Sequence, residues 1–195
     1  MSGQLSVRPR SEAVDNYVHT LFELEDDHDL RFRDVRKFGR VYLVTDRDQI
    51  LGELGPEPLS DAFTVDWLKE HLQRRRRILK PLLLDQTFLA GVGNIYADEA
   101  LHRAAIRPDR RSDSLHDKEV AGLHQAIRYV LQAGIERQGA SIDGAYRQPD
   151  GSGGQMQEIF AAYGRTGQAC PRCGEMIERV VLGGRSTHYC ANCQF

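Results

Sequence analysis

No stretch of about 18 consecutive apolar residues occurs in the chain, so a membrane-spanning helix is excluded by length alone. No charged-then-apolar leader opens it, which excludes a secretory signal and makes an intracellular protein the expectation. Cysteine is absent from the first 169 residues, and all four cysteines fall within the last 26. In a reducing compartment two such Cys-x-x-Cys pairs read as metal ligands rather than disulfides. Neither sign of charge dominates, with 26 Lys plus Arg against 28 Asp plus Glu. The distribution says more than the total: residues 61–111 carry 10 basic and 7 acidic side chains, whereas residues 1–60 carry 8 and 12. A basic middle third matters more than net charge for steering a polyanion. With 41% hydrophobic residues over 195 positions the chain is long enough to bury a core, so a disordered tail is excluded too.

The segment from Gln4 to Val44 alternates apolar and polar residues, as in Tyr17 to Leu24 and Gly39 to Val44, and predicts three or four short antiparallel strands with a turn at Asp26 to Asp29. Gly52 to Pro58 breaks the pattern and reads as a linker. From Thr64 the period becomes helical through Val65, Leu68 and Leu72, across the Arg74 to Arg77 run, and on to Ile78, Leu82 and Leu83. A further helix is expected from Asn94 to His102. A long amphipathic one is expected after Asp113 or Ser114, with Val120, Leu123, Ile127, Val130, Leu131 and Ile135 on one face. Residues 138–156, rich in glycine, read as a long flexible loop of the kind that is usually functional or disordered.

Cys170-x2-Cys173 and Cys190-x2-Cys193 are 16 residues apart, a spacing that fits one four-thiolate structural zinc ion. Glu178 to Tyr189 between them reads as a hairpin turning at Gly183-Gly184, hence a zinc ribbon with Arg185 just past its tip. A fully thiolate site leaves no open coordination position, so the metal holds the hairpin and does no chemistry. Gly91-Val92-Gly93-Asn94-Ile95-Tyr96-Ala97 matches the G-x-G-x-x-A form of dinucleotide folds, but no buried strand precedes it, and that context is what the motif requires. The alternative is a turn between helices, capped by Asn94, whose exposed backbone N–H groups suit a phosphate.

Together these pieces resemble the formamidopyrimidine-DNA glycosylase (Fpg/Nei) family of base-excision repair enzymes. The resemblance rests on Asp34-Val35-Arg36-Lys37-Phe38-Gly39 and on Lys80-Pro81-x-x-Leu84-Asp85 leading to Gly91 through Ala97. It rests further on Gly139-Ala140-Ser141-Ile142-Asp143, on Tyr163-Gly164-Arg165, and on the cysteine ribbon with Arg185. It implies an α+β protein: residues 1–56 a remnant of an N-terminal β-sandwich, 57–162 a helix-two-turn-helix domain with a lesion-capping loop, and 163–195 a zinc-ribbon finger. The implied partner is double-stranded DNA with an oxidised base or abasic site, bound by a monomer that flips the lesion out of the stack, because a stacked base hides its glycosidic bond. Carried over by position, Met1, Arg36 and Phe38 enter the stack, Lys80, Gly93, Asn94 and Arg185 meet phosphates, and Gly151, Ser152, Gly153 and Gly154 belong to the lid. The wedge and lid point to oxidised purines.

The family's chemistry starts from an N-terminal proline followed by glutamate. An α-amino group, with a pKa near 8, is partly neutral and nucleophilic at cellular pH. The present residues open Met1-Ser2-Gly3-Gln4-Leu5, and none of them corresponds to that proline or glutamate. Met1 instead resembles an internal wedge residue, which points to a start assigned too far downstream. No residue is therefore assigned a catalytic role, and the expectation is a chain that binds damaged duplex without cutting it. Two rivals stand beside this reading: a genuine noncatalytic binder of damaged or abasic DNA, and a zinc ribbon that docks a protein partner.

Overall fold

The computed structural model describes residues 3–142 and 146–195, so the expected roles of Met1, Asp143 and Gly144 lie outside the described residues. The chain forms two compact units, Met1–Thr45 with Gly134–Glu158, and Asp46–Ala133 with Ile159–Phe195.

In the first unit the alternating pattern becomes three strands, β1 (Gly3–Pro9), β2 (Val18–Glu23) and β3 (His28–Asp34), in the antiparallel order β1-β3-β2. The register sets Leu5 opposite Phe32 and both Val7 and Phe22 opposite Leu30, which gathers the apolar side chains on one face. That face stays partly open, with Leu5 and Phe22 more than two-fifths exposed. On the other face the buried Arg31 donates to the carbonyls of Pro9, Glu12 and Ala13 and so staples the chain reversal after β1. The fourth strand expected over Gly39 to Val44 is not formed. A strand needs a neighbouring edge to complete its ladder, these residues find none among the described ones, and Tyr42 and Leu43 are exposed.

The described residues of the 138–156 segment, expected to be a flexible loop, are hydrogen-bonded instead. Its base closes through an Ala140–Gln155 bridge and a bond from the Met156 N–H to the Gly139 carbonyl. At Gly154 a Cβ would lie 2.2 Å from that carbonyl, so only glycine lets the two backbones approach.

The second unit follows the short helix α1 (Asp48–Leu51) with α2 (Val65–Arg75), α3 (Leu79–Leu83), α4 (Asn94–Ala104) and α5 (Asp117–Glu136), the last of which belongs to this unit through Ala133. Thr64 caps α2 by accepting the Trp67 N–H at 3.0 Å. The helical pattern expected to continue to Leu84 breaks at Arg76, which adopts φ 49° and turns the chain before α3. Leu68 and Leu72 of α2, Leu79, Leu82 and Leu83 of α3, Leu101 of α4, and Leu123 and Ile127 of α5 form one dry core. Ile135, expected on the buried face of α5, is exposed. The unit ends in the hairpin β4 (Ile177–Leu182) and β5 (Arg185–Cys190). Its two-residue turn places Gly183 and Gly184 at φ 56° and 75°, the conformation a tight hairpin demands of both.

Candidate nucleic-acid interface

Asn94 opens α4, but the residue in the capping position is Gly93, whose extended backbone (φ −99°, ψ 175°) lets the helix start without a side-chain cap. Asn94 is the first helical residue, one place later than its expected capping role. Its Nδ2 lies 3.5 Å from Ser186 Oγ on β5, which brings it to the tip end of the hairpin beside the exposed Arg185. Gly91 and Gly93 have open space where a side chain would stand, while the Gln86 side chain covers part of the turn before α4, its Oε1 accepting the Gly91 N–H at 2.8 Å and its Nε2 donating to the Val92 carbonyl at 3.1 Å. The hairpin tip rests on α3: a Cβ on Gly183 would come within 3.0 Å of the Pro81 ring.

Lys80 is placed differently from its expected phosphate contact. It is wholly buried, its Nζ lies 2.7 Å from Asp98 Oδ1, and it donates to the Ser186 carbonyl and to Thr187 Oγ1. With its ammonium surrounded in this way, Lys80 offers no donor to an outside phosphate. Burial lowers the Lys80 pKa and raises that of Asp98, and the attraction between them opposes both shifts. The other Asp98 oxygen accepts the His188 backbone N–H at 2.9 Å and faces its Nδ1 at 3.1 Å. One buried pair thus ties α3, α4 and β5 together directly beneath Asn94 and Arg185.

The Arg74 to Arg77 run of the basic middle third is exposed but largely engaged. Arg74 pairs with Glu70 at 2.6 Å, Arg77 with Asp85 at 2.7 Å, and Arg76 lies 4.0 Å from Asp113.

Sequence reasoning missed the anchoring residues of α4 altogether. Glu99, also buried, accepts the backbone N–H groups of Ala161, Ala162 and Tyr163 at 2.8 to 2.9 Å and so holds the segment leading into the ribbon. His102, one turn after Asp98, points to Cys170. Burial, with repulsion from Arg172 and Arg165, lowers its pKa to about 4. The available signal was a run of ionisable residues spaced on one face of an otherwise apolar helix.

The four cysteines converge as expected. All are free thiols, their Sγ atoms lie within 4.8 Å of one another, and the pairs Cys170–Cys193 and Cys173–Cys190 stand 3.7 and 3.4 Å apart. A tetrahedron of sulfurs with metal bonds of about 2.3 Å has edges of about 3.8 Å, so the cluster fits one zinc ion closely.

In the first unit Asp34 ends β3 and organises the turn after it. Its carboxylate accepts the Arg36 and Gly39 N–H groups at 3.2 and 2.8 Å, and its carbonyl accepts the Lys37 N–H, with Lys37 at φ 57°. The result presents Arg36 and Phe38 side by side, the guanidinium 5.4 Å from the ring centroid and Phe38 75% exposed. Gly151 and Ser152 form a tight turn in which Asp150 accepts the Ser152 N–H and hydroxyl, and Gly153 is exposed beside it. Gly154 is buried at the base of that segment and not at its tip.

Comparison with known proteins decides what these features belong to. The family model described as "Formamidopyrimidine-DNA glycosylase H2TH domain" matches residues 54–145, and "Zinc finger found in FPG and IleRS" matches residues 167–194. A formamidopyrimidine-DNA glycosylase from Pelotomaculum thermopropionicum is 47% identical over 202 residues, covering 100% of this chain and 71% of the relative. The chain belongs to the formamidopyrimidine-DNA glycosylase family. Its fold is likewise similar to the MutM (Fpg) protein of Thermus thermophilus, with a TM-score of 0.89 at 44% identity over 100% of this chain and 73% of the other. The Lactococcus lactis Fpg bound to DNA containing an abasic site matches with a TM-score of 0.89 at 35% identity, over 100% and 72% of the two chains. As a glycosylase-family protein it carries the α+β fold, the helix-two-turn-helix domain and one structural zinc held by Cys170, Cys173, Cys190 and Cys193. No helix among the described residues is long and apolar enough to cross a membrane.

Proposed function

We propose that this chain is a base-excision repair protein that binds duplex DNA at an oxidised base or abasic site and holds the lesion out of the stack. The observation that carries the reading is the pairing of Asn94 with the tip end of the Arg185 hairpin above the buried Lys80–Asp98 pair. A neutral donor and a cation on one compact unit suit two phosphate oxygens of a backbone held in a fixed register, and such contacts position a duplex without reading its sequence. Flipping a base costs a few kcal/mol of stacking. Phe38, large, apolar and exposed, is the side chain suited to recover part of it by wedging the neighbouring stack, with Arg36 filling the gap. The Gly151 to Gly154 turn serves as part of the cap over an extruded oxidised purine. The zinc supplies no reactive position, because four thiolates complete its coordination.

The fragment of the family represented by residues 1–56, 57–162 and 163–195 divides these tasks among sandwich remnant, helical domain and ribbon. The protein acts as a monomer in the cytoplasm, on nucleoid DNA. None of the 195 residues corresponds to the nucleophilic proline or its glutamate, so the role proposed for these residues is to bind the lesion. Anisotropy titrations with matched duplexes containing guanine, 8-oxoguanine or an abasic site test the binding. Equal affinity for all three duplexes would refute lesion recognition.

A further inference from the structure

The zinc thiolates do not all draw their hydrogen bonds from the same place. The Asn192 side chain and the Glu175 backbone N–H face Cys173, and the backbone N–H groups of Cys193 and Asn192 face Cys190, all within the ribbon's own turns. At Cys170 the partner comes from outside the ribbon, where His102 Nε2 on α4 lies 3.2 Å from the sulfur and both groups are buried. Four thiolates around a divalent cation leave two net negative charges in a poorly solvated place, so each N–H aimed at a sulfur offsets part of that charge.

The ribbon grips the same end of α4 by other bonds. Arg172 donates to the Arg103 carbonyl at 2.9 Å, the Phe195 N–H to that of Ala105 at 3.0 Å, and Gln194 Nε2 to that of Ile106 at 2.8 Å, while Gln194 Oε1 accepts the Cys190 N–H. The carbonyls at a helix C-terminus have no partner within the helix, and here residues flanking the cysteines supply them. His102 stands at the centre of this clasp.

We propose that His102 is a positioning residue of the zinc centre: its Nε2–H donates to the Cys170 thiolate, so that metal retention depends on the ribbon's being seated on α4. Zinc affinity is then a property of ribbon and helical domain together, and not of the Cys-x-x-Cys pairs alone. The imidazole lies outside the ligand set and leaves the four-sulfur coordination intact.

The test uses the full zinc-loaded chain and two variants. His102→Phe fills the space without a donor, and His102→Gln keeps an N–H near the Nε2 position. Zinc release into a colorimetric chelator is expected to be about tenfold faster for the Phe variant, the lower end of what loss of such outer partners costs in metal affinity, and within about threefold of wild type for the Gln variant. In the cobalt-substituted proteins the thiolate charge-transfer absorption moves to lower energy in His102→Phe and stays in place in His102→Gln. Unchanged release and an unchanged cobalt spectrum in His102→Phe would overturn the proposal, as would equal zinc loss from both variants, which would assign the effect to packing. A third measurement requires no variant. In wild-type protein loaded with cadmium-113, the His102 imidazole N–H should show a scalar coupling to the metal through Cys170, and its absence, or direct coupling of the ring nitrogen to the metal, refutes the arrangement.

Discussion

Lys80 and Asp98 meet at 2.7 Å with neither side chain exposed to solvent. A buried pair of this kind adds little net stability over an apolar replacement, yet removing one partner strands the other charge in the interior. Its place explains why it is present: the lysine also holds the Ser186 carbonyl and Thr187, and the aspartate holds His188, so the pair sets where β5 lies against α4.

Asp98→Asn is therefore expected to destabilise the zinc-loaded second unit by about 3 to 5 kcal/mol. The double substitution Lys80→Met with Asp98→Leu should recover most of that loss. Trp67, the one tryptophan of the chain, lies in this unit and reports its unfolding in guanidinium. A loss below about 1 kcal/mol for the single variant would show that the pair is not desolvated as described.

Arg185 and Asn94 should separate in their salt dependence. Arg185→Ala is expected to weaken binding to an abasic-site duplex and to reduce the slope of log affinity against log salt by about 0.9, the contribution of one neutralised phosphate. Asn94→Ala removes a neutral donor, so it should cost about 1 kcal/mol of binding and leave the slope unchanged. Titrations at four or five salt concentrations measure both effects.

Phe38 makes the opposite kind of prediction. With three-quarters of its surface in water, Phe38→Ala should change folding stability by less than about 0.5 kcal/mol. In a duplex carrying 2-aminopurine beside the lesion, the fluorescence rise that reports unstacking should largely disappear. A full rise with the alanine variant would remove the wedge role.

Glu119 provides a pH-dependent term. Its carboxylate is paired with Arg110 and accepts the His116 backbone N–H at 2.8 Å, closing the first turn of α5. The Arg110 guanidinium, helped by that N–H, holds its pKa below the usual 4.5. A carboxylate depressed by folding contributes stability that is present above its unfolded pKa and lost as pH falls through the folded value. Glu119→Gln should thus cost about 1 to 2 kcal/mol near pH 7, with the difference from wild type shrinking steadily once pH drops below 4.5. Urea unfolding at several pH values checks this, and a difference independent of pH would contradict it.

Much of the candidate interface was legible because it depends on local spacing. Two Cys-x-x-Cys pairs, a Gly-Gly turn and the alternation around them specify a ribbon with little help from elsewhere, and the structure has it at those residues. Helix α4 and the buried face of α5 through Val130 were legible for the same reason, since periodicity is a property of neighbouring residues. Gly39 to Val44 misled because alternation describes a strand's faces and says nothing of whether a partner edge is present. The break at Arg76 was hidden because a left-handed residue at that place carries no glycine to mark it.

Lys80 shows where local reading stops. A lysine in a basic stretch before a phosphate-binding turn reads as a surface cation, and only the fold brings Asp98 and residues more than a hundred positions later around it. The amino-acid order by itself determined the family and the metal ligands, because each rests on short-range spacing. Which charges face solvent, that Glu99 anchors the approach to the ribbon, and that His102 reaches Cys170 were decided by tertiary structure alone, since desolvation and long-range hydrogen bonds exist only once distant segments are packed together.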